Sequence, residues 1–144
     1  MPTWITPRKL EFRIWPRRCS TDRKDMKKFN LQIGKLGEEI AKDYLKKRGY
    51  EILAQNFKTK YAEIDLVARQ KNELVFVEVR TKRGLDFGSP EDSLNKKKLR
   101  KLWFNARGYI NWAKWRGLYR IDAICIVLKP DNTLNRLNHY KNIT

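Results

Sequence analysis

The sequence has few of the residues on which many common sites depend. Two cysteines, Cys19 and Cys125, and one histidine, His139, occur in 144 residues. The number and spacing of the cysteines fit neither a zinc site nor a disulfide framework. A lone histidine near the C-terminus argues against a histidine-based triad and against a multi-histidine metal site. Reduced thiols are the simplest interpretation, and we expect a cytoplasmic protein.

Long apolar runs and acidic residues are also scarce. The longest apolar run, from Ala123 to Leu128, is far shorter than the ~20 residues of a membrane-spanning helix. Lys and Arg number 33 against 16 Asp and Glu, which gives a net charge of +17. This excess is larger than solubility requires and predicts a polyanionic partner, of which nucleic acid is the first candidate. A membrane-surface or ribosome-associated role is the weaker alternative, and the lack of a basic amphipathic surface helix argues against membrane binding.

The charge pattern divides the chain into an extension and a domain. Residues 1–29 hold nine basic residues against three acidic ones, and prolines at positions 2, 7 and 16 break any long helix. We predict a basic, flexible N-terminal extension over 1–29 and one domain over 30–144. A nucleic-acid arm, a targeting peptide and an upstream choice of start codon remain open for the extension. Met26-Lys27-Lys28 would make an ordinary bacterial start.

Hydrophobic periodicity and turn residues predict an α/β domain of the order αβββαβ, with a further short strand at the end. Gly49 marks the end of the first helix, and Ser89-Pro90 marks the start of the second. The predicted elements are a helix over 34–48, strands over 51–57, 62–69 and 73–80, a helix from Ser89 to about Trp115, and a strand over 120–128.

Two acids in the central hairpin are the main functional signal. A loop over 70–73 would pair Arg69 with Leu74 and set Asp65 opposite Glu78. Like charges placed directly opposite each other are destabilising, so such a pair usually shares a proton or binds a cation. Oxygen ligands suit Mg²⁺ or Mn²⁺. The opposite faces of both strands are apolar, which predicts core on one face and acids on the other.

The same hairpin has a purely structural alternative. Antiparallel sheets often have a wet face on which acids need no function. The predicted register also sets Glu63 opposite Arg80, so that these two side chains could offset each other's charge.

A basic segment of the second helix is the other candidate site. Its lysines and arginines alternate with aromatic residues, an arrangement that suits phosphate contact and base stacking. At least half of the aromatics are expected in the core, and a merely solvated basic face is the alternative. We predict nucleic-acid contacts from Lys82, Arg83, Lys96, Lys97, Lys98, Arg100 and Lys101.

Spaced polar positions in residues 30–143 resemble those of the bacterial YraN family. The matching segments include Gly34-x-x-Gly37-Glu38, Glu63-Ile64-Asp65, Glu78-Val79-Arg80-Thr81 and Arg120-Ile121-Asp122. The resemblance implies a restriction-endonuclease-like fold, with a mixed central sheet flanked by helices, akin to archaeal Holliday junction resolvases. It also implies an Asp…Glu-x-Lys nuclease signature.

By position, Asp65 and Glu78 match the two acids of that signature, and Glu38 matches an additional acid of the family. Arg80 stands where the signature has lysine. Arginine can clamp a phosphate but cannot act as a general base, so Lys82 or Lys96 would supply the amine. The resemblance implies Mg²⁺ or Mn²⁺ held by Asp65, Glu78, Glu38 and the Val79 carbonyl.

The sequence therefore predicts a Mg²⁺-dependent endonuclease on structured or branched DNA. A non-catalytic nucleic-acid-binding module that retains the nuclease fold is the alternative. A homodimer is left open.

Overall fold

A computed structural model describes residues 23–144, in which a five-stranded sheet lies between two helices. The elements are α1 (Arg23–Lys47), β1 (Glu51–Lys58), β2 (Glu63–Gln70), β3 (Glu73–Arg83), a 3-10 helix (Pro90–Ser93), α2 (Lys96–Ala113), β4 (Leu118–Leu128) and β5 (Leu134–Tyr140). The strands lie side by side in chain order. Neighbouring strands are antiparallel except β3 and β4, which α2 connects in parallel. The predicted α/β class, element order and mixed sheet are confirmed.

Helix α1 begins at Arg23, well before the predicted start at residue 34. Its first turns are exposed and mostly basic, and the prediction assigned them to the extension although Met26 and Phe29 continue the helical spacing of Ile33. Lysine, arginine, methionine and glutamine are nevertheless good helix formers. The helix ends as predicted before Gly49, whose φ of +84° suits glycine. Part of the predicted extension, 23–29, is thus helical, and the rest of it, 1–22, lies outside the described residues.

The chain divides into two compact units between Leu31 and Gln32, and the whole sheet belongs to the second unit. There α1 buries Ile33, Gly37, Ala41 and Leu45, which share one helical stripe. At Gly37 the helix lies so close to β3 that an added Cβ would fall 1.7 Å from Thr81 Oγ1. No helix among residues 23–144 is long and apolar enough to cross a membrane.

Both faces of the sheet are covered. Val75 and Val77 of β3 pack with α1, whereas Leu74 and Phe76 of the same strand pack with Leu102 and other residues of α2. The expectation that only one face builds core is therefore wrong, because the predicted acid-bearing face also carries the core residues Val67 and Phe76. The parallel crossover from β3 to β4 brings α2 onto the second face, where the acids occupy only one end.

The face pattern of β1 changes at the register shift between Ile52 and Ala54, and that of β1 and β2 together changes near Asn56. Asn56 has a φ of +53°, and it lies between the pairs Gln55–Leu66 and Phe57–Ile64, opposite Asp65. Beyond this point Phe57 and Ile64 pack with the α2-side core. Simple alternation had assigned Ile64 to the opposite face with Leu66, which is wrong. A residue with a left-handed backbone conformation inside a strand is an irregularity that turns neighbouring side chains to the other face of the sheet.

Helix α2 begins later than predicted. Ser89 and Pro90 start only the 3-10 helix, in which Asp92 Oδ2 accepts a hydrogen bond of 2.8 Å from the Ser89 N–H. The helix proper is capped by Asn95, whose Oδ1 accepts a hydrogen bond of 2.9 Å from the Lys98 N–H. Lys98 therefore lies in the first turn of α2, close to the sheet.

Candidate functional site

The central hairpin has the predicted register. Leu66 pairs with Val77, Arg69 with Leu74, and Gln70 with Glu73, so the turn is two residues shorter than the loop assumed. Pairing between β2 and β3 stops at Leu66. Asp65, which precedes Leu66 in the sequence, contacts β3 through its side chain. Its Oδ2 accepts a hydrogen bond of 2.7 Å from the Val79 N–H. The two strands separate at this fork, and Asp65 and Glu78 line the cleft that opens there.

Both acids carry raised pKa values. Burial, followed by the nearby charge of Glu78, raises the pKa of Asp65 to about 7 from 3.8. Burial raises the pKa of Glu78 to about 7 from 4.5, against the opposing charge of Arg80. Two cations contact Glu78 and favour its ionised form. We therefore infer that near neutral pH the proton of this pair rests mainly on Asp65.

Lys98 reaches the site from α2, and sequence reasoning missed its role. Its Nζ lies 2.7 Å from Glu78 Oε1. The periodicity of α2 identified Lys98 as one of several basic residues but could not show that its first turn faces the end of β3. The Asn95 cap was the available signal, because it fixes where the helix starts and hence which lysine points at the sheet.

Arg80 does not take the predicted partner. Its Nη2 lies 2.9 Å from Glu78 Oε1, on the same strand. Glu63 lies instead 3.8 Å from Lys58, near the solvent. The predicted Arg80–Glu63 pair is therefore wrong, because β2 and β3 have already separated at this level.

The additional acid, Glu38, lies at the edge of the site. Burial raises the pKa of Glu38, and the side chain of Asn56 opposes this shift. Its charge in turn contributes to the raised pKa of Asp65. Among residues 23–144, no three Asp, Glu, His or Cys side chains stand close enough together to form a preassembled metal site. Asp65 and Glu78 are the acids of the predicted set that line the cleft.

The donor chemistry of this pair fits a hard divalent cation. Carboxylate oxygens are the ligands that Mg²⁺ and Mn²⁺ prefer. A cation would also relieve the repulsion and desolvation that raise both pKa values. Metal binding by Asp65, Glu78, Glu38 and the Val79 carbonyl stays a prediction.

The predicted nucleic-acid residues fall into three groups. Lys97, Lys98 and Lys101 line the cleft, which has a volume of about 500 Å³. Lys96 and Arg100 lie on the same helix but do not line it, and Arg100 borders a separate groove with Trp103 and Phe104.

Lys82 and Arg83 form the third group and have partners outside the cleft. The Lys82 ammonium donates to the Phe87 carbonyl at 2.8 Å, and Arg83 donates to the Pro130 carbonyl. Neither of the two lysines expected to supply an amine, Lys82 and Lys96, reaches the acids, whereas Lys98 does.

Comparison with known proteins shows the family. Residues 37–126 match the model of "Uncharacterised protein family UPF0102". A UPF0102 protein of Caldanaerobacter subterraneus subsp. tengcongensis is 42% identical over 120 residues, which cover 81% of this chain and 98% of that protein. A UPF0102 protein of Clostridium botulinum strain 657 is 43% identical over 108 residues, 74% of this chain and 85% of that one. The resemblance to YraN proteins is confirmed, and the chain belongs to the UPF0102 (YraN) family.

Proposed function

We propose that this domain is a divalent-metal-dependent endonuclease acting on structured or branched DNA. One observation carries the proposal: a pair of acids with raised pKa values, Glu78 buried and Asp65 half-buried, lies in a cleft lined by Lys97, Lys98 and Lys101. Buried acids held in this way are costly unless they bind something. The lysines match the charge of a phosphate backbone.

Each residue has a distinct role in this proposal. Asp65 and Glu78, with the Val79 carbonyl, would hold Mg²⁺ or Mn²⁺, which when bound activates water and polarises a phosphate. Arg80 contacts Glu78 Oε1 at 2.9 Å, which offsets the charge of that acid, and it cannot act as a general base. Lys98, unlike arginine, can give up a proton, and its Nζ lies 2.7 Å from Glu78.

The reaction is hydrolysis of a phosphodiester. A water oxygen bonds to phosphorus, a P–O ester bond breaks, and the leaving oxygen takes a proton from the Lys98 ammonium. The proton that the water releases restores Lys98. Lys97 and Lys101, which are exposed on the cleft wall, hold the neighbouring phosphates.

The test is cleavage of labelled duplex, flap and four-way-junction DNA with Mg²⁺ or Mn²⁺. We expect Asp65→Asn and Glu78→Gln to abolish cleavage, and Lys98→Ala to slow it by about 10²–10⁴-fold, the range for a lost proton-transfer group. Lys98→Arg keeps the positive charge, so this variant should bind DNA like the wild type but should not recover the rate of cleavage. Lys96→Ala is the matched control, because Lys96 lies on the same helix outside the cleft and should leave kcat unchanged. Full activity in Asp65→Asn would refute the proposal.

A non-catalytic nucleic-acid-binding module is the second candidate. It is favoured by the two ion pairs that already engage Glu78 Oε1, and by arginine at the position of the signature lysine. In that case the wild-type protein binds DNA in a salt-dependent manner and cleaves nothing with either metal. Arg80→Lys, which restores the usual signature, would then be the variant in which weak cleavage appears.

A further inference from the structure

Tyr61 is an exposed aromatic residue at the mouth of the cleft. Its side chain is 70% exposed, and it lines the same cleft as Asp65 and Glu78. An exposed tyrosine offers a rigid ring face at little cost in conformational entropy, which suits stacking. It lies on the short connection between β1 and β2, immediately before the strand that carries Asp65.

The connection that carries Tyr61 is anchored to α2. The Thr59 hydroxyl donates a hydrogen bond to Oδ1 of Asn105, a side chain that is only 1% exposed. The Tyr61 N–H in turn donates to Thr59 Oγ1 at 3.2 Å, and the Thr59 N–H bonds the Ala62 carbonyl at 2.9 Å. Tyr61 is therefore positioned relative to the helix that supplies Lys98.

Distance and charge connect Tyr61 to the acids. Tyr61 lies four positions before Asp65, so their Cα atoms are at most about 14 Å apart. A strand whose phosphate reached the acids would bring an adjacent base within range of the ring. The Lys60 ammonium lies 4.9 Å from the ring centroid and adds positive charge at this edge.

The size of the cleft favours a single strand. Its volume of about 500 Å³ lies within the roughly 300–1,000 Å³ of pockets that enclose one small ligand. That space suits a nucleotide and not a double helix. A paired base inside a duplex has both faces covered by its neighbours, and exposing one to Tyr61 requires unstacking, which costs free energy.

We propose that Tyr61 stacks on an unpaired nucleobase next to the phosphate held by the cleft, so that the protein selects DNA with a single-stranded segment. This inference rests on the proposed function for the placement of the phosphate. Stacking itself needs neither metal nor cleavage, which allows the two ideas to be tested apart.

The experiment measures binding in EDTA, where no cleavage occurs. Flap DNA carries 2-aminopurine, a base whose fluorescence is quenched by stacking, at the unpaired position beside the junction. We expect the wild-type protein and Tyr61→Phe to quench it, and Tyr61→Leu to lose the quenching and to bind flap DNA about 5- to 100-fold more weakly, the range for one lost base–aromatic stack. Affinity for a fully paired duplex of the same sequence should change little.

Phe87→Ala is the matched control. Phe87 is 94% exposed but does not line the cleft, so its removal should leave quenching and affinity unchanged. Undiminished quenching by Tyr61→Leu, or equal loss of flap and duplex binding, would overturn the inference. Quenching that depends on Tyr61 in a protein that cleaves nothing would support the stacking role while the nuclease proposal fails.

Discussion

Two buried acids on neighbouring strands, Glu78 of β3 and Asp122 of β4, have pKa values shifted in opposite directions. Asp122 is fully buried, and its two oxygens contact His139 Nε2 at 2.7 Å, Arg120 Nε at 3.0 Å and the Asn142 N–H at 2.9 Å. Burial opposes its ionisation, but the hydrogen bonds from His139, Asn142 and Arg120 hold the pKa of Asp122 below its usual value. Both carboxylate oxygens of Asp122 therefore have hydrogen-bond donors.

Glu78 is equally buried, but burial raises the pKa of Glu78 and of its neighbour Asp65. Its ion-pair partner is also incompletely satisfied: Arg80 Nε is one of four side-chain atoms among residues 23–144 that are buried without a hydrogen-bond partner. The comparison separates two uses of a buried acid. Asp122 joins strands, whereas the Asp65–Glu78 pair is kept at a cost that a bound cation would relieve.

The largest effect is expected from removing Asp122, the acid whose oxygens have hydrogen-bond partners. Asp122→Ala leaves Arg120 and His139 buried without their common partner, and such losses typically cost about 3–5 kcal/mol of stability. Urea unfolding at neutral pH measures this directly. Asp131→Ala, which removes an exposed acid from the β4–β5 turn, is the control and should cost less than about 1 kcal/mol. Equal effects in both variants would contradict the assignment of Asp122 as a structural anchor.

Replacing Asp65 by a neutral residue should stabilise the protein. Asp65 holds its proton with a pKa of about 7 when folded, against 3.8 for the free side chain. Stability is therefore highest below the lower value, falls as the pH rises toward 7, and carries the full penalty above it. Asp65→Asn keeps an acceptor for the Val79 N–H and removes the charge. We expect a gain of about 1–3 kcal/mol at pH 8 that vanishes near pH 4.

Asp43→Asn is the matched control for this change, because Asp43 is an exposed acid of α1 outside the cleft and should shift stability by less than about 0.5 kcal/mol. The effect of Mn²⁺ on the melting temperature is an independent test of the role of Asp65. It should raise the melting temperature of the wild-type protein, more at pH 8 than at pH 6, and leave Asp65→Asn unaffected. An Asp65→Asn protein that is less stable than wild type at pH 8 would show that this acid is satisfied like Asp122.

The sequence predicted the hairpin because its register depends on local signals, a short polar turn between two β-rich segments. It could not predict which side chains meet across elements. The Glu78–Lys98 contact depends on where α2 starts, and Ser89-Pro90 gave the stronger start signal in the sequence. Likewise the interrupted face pattern depends on the left-handed conformation of Asn56, which asparagine tolerates but does not require.

The smallest effect concerns the cap that orients Lys98. Asn95 caps α2 through the Lys98 N–H at 2.9 Å, so Asn95→Ala should cost about 1 kcal/mol of stability. Asn95→Ser retains a capping oxygen and should cost only a few tenths of that amount. Ser89→Ala should also cost little, because Ser89 precedes the short 3-10 helix and not α2.

Because the cap fixes the turn that holds Lys98 against Glu78, Asn95→Ala should weaken DNA binding more than Ser89→Ala at equal stability. The measurement is urea unfolding together with DNA binding at several salt concentrations. If Ser89→Ala proves the more damaging change in both assays, α2 starts where the sequence alone suggested, and Lys98 is not held at the acids by its cap.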